Sequence, residues 1–145
     1  MLGVTASALA PAPPERVWEL LWDTSRYAEW VEATAEVTRT DGPTAPGSTY
    51  DELDPILGPW KARTSWRVAE FEPGRRQLHT STDLPLLRRC DVIMEIAPEG
   101  EATRVTLTLR GETAGLVGAA FGRVMKPLAA RDNRKTVANL VALVG

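Results

Sequence analysis

A chain of 145 residues, 43% of them hydrophobic, is the length of one domain (residues 1–145) and can bury a real core. It has neither the composition of a disordered chain nor that of a membrane protein. Its 17 basic and 19 acidic residues leave a net charge of −2, which argues against a general nucleic-acid binder with a basic stripe. The one cysteine, Cys90, forbids an intrachain disulfide, and the one histidine, His79, forbids a His-rich metal site.

Gly3 to Ala10 reads as a first strand, closed by Pro11, Pro13 and Pro14. Ala6-Ser7-Ala8 mimics a signal-peptidase site, but no basic residue precedes it and Leu2 to Ala10 is too short and polar for an apolar leader core, so a cytoplasmic location is expected. Prolines suit a helix start, and Val17, Leu20 and Leu21 mark a short amphipathic helix with Trp18 and Trp22 on an adjoining face, expected to seal the core. Asp23-Thr24-Ser25 stops it, and Ser25 is placed to cap a second short helix running through Trp30. Ala33 to Thr40 reads as a strand, followed by turn chemistry in Asp41-Gly42-Pro43 and Pro46-Gly47.

From Ser48 onward the period is two. Strands are predicted over Thr49–Leu53, Trp60–Phe71, Arg76–Thr82, Leu87–Ala97 and Ala102–Gly111, with breaks at Pro55, Gly58 and Pro59, at Glu72-Pro73-Gly74-Arg75, at Pro85, and at Pro98-Glu99-Gly100-Glu101. Val105, Leu107 and Leu109 alternate with Arg104, Thr106, Thr108 and Arg110, the mark of a strand with one wet face. Connections this short make neighbouring strands antiparallel.

The last stretch, Ala114 to Val144, changes to helical spacing. Val117, Phe121, Val124 and Leu128 form one stripe, and Val137, Leu140, Val141 and Val144 form a second on nearly the opposite side. With Pro127 between them, two helical pieces are expected, hinged between Lys126 and Lys135, the leading one laying its stripe on the sheet. Gly118 and Gly122 allow close approach to the sheet or to a ligand, and Arg123 and Lys126 interrupt the apolar run short of a membrane span.

Four segments carry a family resemblance. Ala10-Pro11-Ala12-Pro13-Pro14-Glu15-Arg16-Val17-Trp18 leads into the first helix and Tyr27-Ala28-Glu29-Trp30 ends the second. Val68-Ala69-Glu70-Phe71-Glu72-Pro73 ends the long middle strand, and Glu101-Ala102-Thr103-Arg104-Val105-Thr106 opens the last one. Together they resemble the START-like (SRPBCC) superfamily, in the branch of polyketide cyclases, dehydrases and lipid transport proteins. The resemblance implies an α+β helix-grip fold, a curved antiparallel sheet of about seven strands wrapped on a long C-terminal helix, with two short helices after the first strand. It implies a hydrophobic small-molecule partner such as a polyketide, lipid or other polycyclic or acyl ligand, held between sheet and helix. Fold alone does not settle function. A cyclase, aromatase or dehydratase acting on a poly-β-ketone chain, and an interaction protein with a collapsed cavity, stay open beside simple carriage, as does the oligomeric state.

The candidate ligand-binding residues are Trp30, Tyr50, Trp66, Met94, Phe121 and Met125, expected to line an enclosed cavity beneath the leading half of the C-terminal helix. Ser65-Trp66-Arg67-Val68 resembles the surroundings of a pocket arginine in aromatic polyketide cyclases, which makes Arg67 the candidate catalytic residue, polarising a ketone or enolate. Strand parity sets Arg67 opposite Trp66 and Val68, so it points to solvent if those two face the cavity. His79 reads as an ordinary surface or hydrogen-bonded residue, and Asp51, Glu52 and Asp54 as a solvated edge. No metal, nucleotide or other cofactor is expected, because no phosphate loop, dinucleotide fingerprint or metal-ligand spacing occurs.

Overall fold

The computed structural model describes residues 1–57 and 59–145. The break expected at Gly58 lies outside the described residues. Seven antiparallel strands form one curved sheet: β1 (Leu2–Ala10), β2 (Glu36–Thr40), β3 (Thr49–Leu57), β4 (Trp60–Glu72), β5 (Arg76–Ser81), β6 (Leu87–Glu99) and β7 (Ala102–Thr113). Their spatial order is β1-β7-β6-β5-β4-β3-β2, so only the β1–β7 pairing joins distant parts of the chain. Helices α1 (Pro14–Trp22) and α2 (Tyr27–Trp30) follow β1, joined through a 3₁₀ turn at Thr24–Arg26, and α3 (Gly115–Val144) closes the chain. This is the α+β helix-grip architecture.

Three local expectations shift. The 3₁₀ turn is capped by Asp23, whose Oδ1 accepts the Ser25 amide at 3.1 Å, so Ser25 is the capped residue and not the cap. β3 runs on past Pro55, because β2 begins at Glu36 opposite Leu53 and its ladder does not reach the missing amide. The turn between β6 and β7 tightens to Gly100-Glu101, with Gly100 at φ 64°, and Pro98 and Glu99 join the strand.

α3 departs most from its reading. It is one unbroken 30-residue helix that contains Pro127. Pro127 lies on the exposed side, where water can satisfy the Arg123 carbonyl that the ring leaves without a donor. A single face is buried along its length, through Gly118, Gly122, Thr136, Val137, Leu140 and Val144. The trailing stripe packs as expected. The leading stripe does not: Val117, Val124 and Leu128 are exposed and Phe121 is half-buried.

Close approach explains the rotation. A Cβ built on Gly118 would stand 3.0 Å from the Leu86 carbonyl oxygen, and one on Gly122 would stand 3.0 Å from Thr113 Cγ2. Burying two glycines brings the helix backbone onto the end of β7 more tightly than a row of valines permits. Farther along, Asn133 Nδ2 donates to the Leu107 carbonyl at 2.9 Å, Asn139 Nδ2 donates to the Trp30 carbonyl at 3.2 Å, and Thr136 Oγ1 accepts the Glu32 amide at 3.0 Å. These bonds fix the same face against β7 and the end of α2.

Gly118→Leu is therefore expected to destabilise the fold by about 1–3 kcal/mol, since the clash is with backbone, whereas the adjacent Val117→Ser should change it by no more than about 0.5 kcal/mol. Equal midpoints for the two variants in urea denaturation would contradict this docking.

Candidate functional site

The inner face of the sheet is read from strand parity and register. On β3 it carries Tyr50, Glu52 and Asp54, and on β4 it carries Thr64, Trp66 and Val68; Tyr50 stands opposite Trp66 and Glu52 opposite Thr64. Val68 then faces His79 on β5, His79 faces Val92 on β6, and Val92 faces Leu109 on β7. Polar side chains therefore cluster on β3 to β5 and apolar ones on β6, β7 and β1.

Tyr27, Trp30, Tyr50 and His79 form an aromatic cluster. Tyr27 meets Trp30 and Tyr50 edge-on with ring centroids 5.4 Å apart, and Tyr50 meets His79 at 5.4 Å. Two buried donors, Tyr27 Oη at 2.5 Å and Gln77 Nε2 at 2.7 Å, converge on the Leu21 carbonyl, an orphan acceptor in the last turn of α1. Tyr50 Oη lies 2.6 Å from His79 Nδ1. The tyrosine hydroxyl has no other acceptor, so donation to Nδ1 leaves the fewest orphans and puts the imidazole proton on Nε2. That Nε2 is buried without a partner. Burial also pushes the His79 pKa down to about 3, so the ring is neutral across the physiological range.

Beside this cluster lies a carboxyl pair. Glu52 and Asp54 are only 6% and 7% exposed. Thr34 Oγ1 donates to Glu52 Oε2 at 2.9 Å, Thr64 Oγ1 donates to Asp54 Oδ2 at 2.6 Å, and Trp66 Nε1 donates to Thr64 Oγ1 at 3.2 Å. Asp54 Oδ1 receives no donor from another residue. The two carboxyls are neighbours on the inner face of β3, and their titrations depend on each other. Burial first, and the Asp54 charge second, push Glu52 up to about 9, and burial raises Asp54 as well. No third His, Cys, Asp or Glu side chain joins them in a metal-ligand group among the described residues.

A family model described as polyketide cyclase / dehydrase and lipid transport matches residues 1–145. The chain belongs to this polyketide cyclase/dehydrase and lipid transport family. No curated protein matches the sequence. Among solved structures, the protein TTHA0849 from Thermus thermophilus is 23% identical with a TM-score of 0.79, over 98% of this chain and 96% of that one. The Zhui aromatase/cyclase from Streptomyces sp. R1128 is 17% identical with a TM-score of 0.80, over 98% and 92%. The di-domain ARO/CYC StfQ of the steffimycin biosynthetic pathway is 11% identical with a TM-score of 0.78, over 99% of this chain and 51% of that one. At these identities the likeness is one of fold.

Against this family frame, Trp30, Tyr50, Trp66 and Met94 are all buried in the same core cluster, while Phe121 and Met125 are half-buried on α3. Trp18 is half-buried against Phe71, with ring centroids 5.9 Å apart, but Trp22 is exposed and does not seal the core. Arg67 is on the outer face, exposed, in an open groove of about 440 Å³ with Asp51, Ser65 and Thr80. The sheet separates it from the inner face, so it cannot polarise a ketone held there. Glu52 and Asp54 are buried and not a solvated edge, and His79 is a hydrogen-bonded core residue and not a surface one. Parity held the signal: Glu52 and Asp54 stand two and four residues beyond Tyr50, already assigned inward, and only Asp51 of the acidic run faces out.

The acid pair makes stability pH-dependent. Below about pH 4.5 Glu52 holds its proton in both states; above it the unfolded chain releases that proton while the folded one keeps it to about 9. Stability contributed by this group therefore falls as pH rises through that interval. Glu52→Gln keeps an acceptor for Thr34 and adds a donor for Asp54, so it should stabilise the fold by on the order of 1–3 kcal/mol near pH 8 and by almost nothing near pH 4. Urea melts at the two pH values would reject a protonated Glu52 if the variant tracked its parent at both.

Proposed function

We propose that the protein takes up a hydrophobic small molecule, a polyketide, lipid or other polycyclic or acyl compound, between the inner face of the sheet and the leading half of α3. The carrying observation is an incomplete closure. Val92 and Leu109 are cross-strand partners in the middle of the sheet and face inward, yet both stay partly exposed, whereas Met94, Leu107, Ile96 and Val105 next to them are buried. Phe121 and Met125, half-buried on α3, belong to the same apolar wall in this reading. Trp30, Tyr50, Trp66 and Met94 form its deep end. Met94 and Met125 have the flexibility to reshape around different guests. His79, across from Val92, offers the ligand's polar end a hydrogen-bond donor that no protein group uses.

A second reading is favoured by one observation, the burial of the neighbouring carboxyls Glu52 and Asp54 on the inner face, which raises the pKa of both. A buried neutral carboxyl can protonate a carbonyl oxygen or a departing hydroxyl, and its conjugate base can take an adjacent C–H proton, which is the chemistry of a cyclase, aromatase or dehydratase on a poly-β-ketone chain.

Met125→Trp should fill the space and abolish the fluorescence enhancement of anilinonaphthalene sulfonate while leaving the circular dichroism spectrum unchanged. A variant that binds the dye like its parent would move the site away from α3. In the catalytic reading, Glu52→Gln slows conversion of a poly-β-ketone at least about tenfold with dye binding retained. Product formation no faster than in the protein-free control would leave carriage alone.

A further inference from the structure

The stripe that fails to pack on the sheet has its own meaning. Leu116 is 91% exposed, Val117 70%, Val124 69% and Leu128 49%, with Ala120 and Pro127 exposed among them. At 100° per residue these positions, with Phe121 at the margin, span an arc of about 140° over the first four turns of α3, and no polar residue falls within it. Leu86, held at φ 62° in the turn before β6, is also exposed, and its carbonyl lies against the start of the helix. Large apolar side chains scattered over a surface need no explanation, but a contiguous strip does.

Charge identifies what covers it. Arg123, about 20° beyond the strip, and Lys126, about 80° beyond it on the same side, are exposed and form no ion pair among the described residues. α3 carries five basic residues, Arg123, Lys126, Arg131, Arg134 and Lys135, against one acidic residue, Asp132, in a chain whose net charge is −2. The positive charge is thus concentrated on the element that exposes its apolar side. A second copy is a poor fit, because a two-fold contact would set two basic helices against each other. An anionic lipid surface accepts both features at once: apolar side chains enter the acyl boundary and cations meet the headgroups, with no directional hydrogen bond needed from the strip.

We propose that the leading half of α3 docks on the surface of an anionic bilayer. The helix lies on the membrane and does not cross it, since no helix among the described residues is long and apolar enough to span. The docking face is exposed whether or not a ligand occupies the interior, so this inference does not depend on the proposed function. If both hold, the same stretch of helix that borders the recess rests on a lipid source.

The test is co-sedimentation with phosphatidylcholine vesicles, with and without phosphatidylglycerol. The parent should sediment with the mixed vesicles, weakly with the neutral ones, and should be released by high salt. Arg123→Gln with Lys126→Gln should weaken binding about tenfold or more, and Val117→Glu with Val124→Glu should abolish it. Because those valines are exposed and outside the ligand wall, the second variant keeps its circular dichroism spectrum and its dye binding. Failure of the parent to bind mixed vesicles, or binding indifferent to both pairs, overturns the proposal. So does a parent dimer on gel filtration that Val124→Glu dissociates, since that assigns the strip to a second copy.

Discussion

The contact between Gly118, Gly122 and the segment Leu86 to Thr113 decides where everything else can be. Gly118 lies against the Leu86 carbonyl and Gly122 against the Thr113 methyl, so α3 is held low over β1 and β7. Its rotation then follows. The side that carries the two glycines also carries Val137, Leu140 and Val144, and the valines and leucines of the first four turns are turned to solvent. A helix fixed over one edge of a curved sheet leaves β3 to β5 without its cover. The short helices after β1 fill that role, through Tyr27 and Trp30, and they bring aromatic rings and not an aliphatic surface.

This division gives the interior two unlike halves. On β6, β7 and β1 the inner face is aliphatic, with Val92 and Leu109 only partly buried. Under α2 it is aromatic and polar, with a carboxyl pair, a neutral imidazole and an amide. Burying these groups costs stability, and the structure offsets part of the cost with specific partners: two donors on the Leu21 carbonyl, one threonine for each carboxyl, and Tyr50 for His79. The offset is incomplete at Asp54 Oδ1, His79 Nε2, Trp30 Nε1 and the Gln77 carbonyl oxygen. Cys90, by contrast, is a plain core residue, its thiol pushed up to about 12 by burial.

The fold was legible because its signals are local and repeated. Alternation along Val105, Leu107 and Leu109, turn residues at Pro73-Gly74 and Gly100, and prolines ahead of Val17 each act within a few residues, and they agree. The errors fall where a distant contact overrides local pattern. Val117, Phe121, Val124 and Leu128 form as good an apolar stripe as a helix can show, yet one continuous helix can bury only one face, and Gly118, Gly122 and the trailing Val137, Leu140 and Val144 share the other. Local rules read Pro127 as a break because they count its lost hydrogen bond without knowing that the freed carbonyl faces water. They read Glu52 and Asp54 as solvated because carboxylates usually are, although the inward parity of Tyr50 already fixes theirs. Arg67 shows the reverse case, in which parity is right and the family resemblance points the other way.

The half-and-half interior also constrains what kind of ligand the proposed reading admits. A wholly apolar guest would be content under α3 but would leave His79 Nε2 and the carboxyl pair as unsatisfied as they are now, so it would gain nothing from the polar end. A guest with a carbonyl or hydroxyl at one end and an acyl or polycyclic body would satisfy the imidazole donor and place its body along Val92, Leu109 and Met125. The difference between the two is the hydrogen bond completed at a buried donor, which is commonly worth about 1–3 kcal/mol when the alternative is leaving that donor unpaired. Selectivity between apolar compounds of similar size would then come from β3 to β5, and the capacity to hold any of them from β6, β7 and α3.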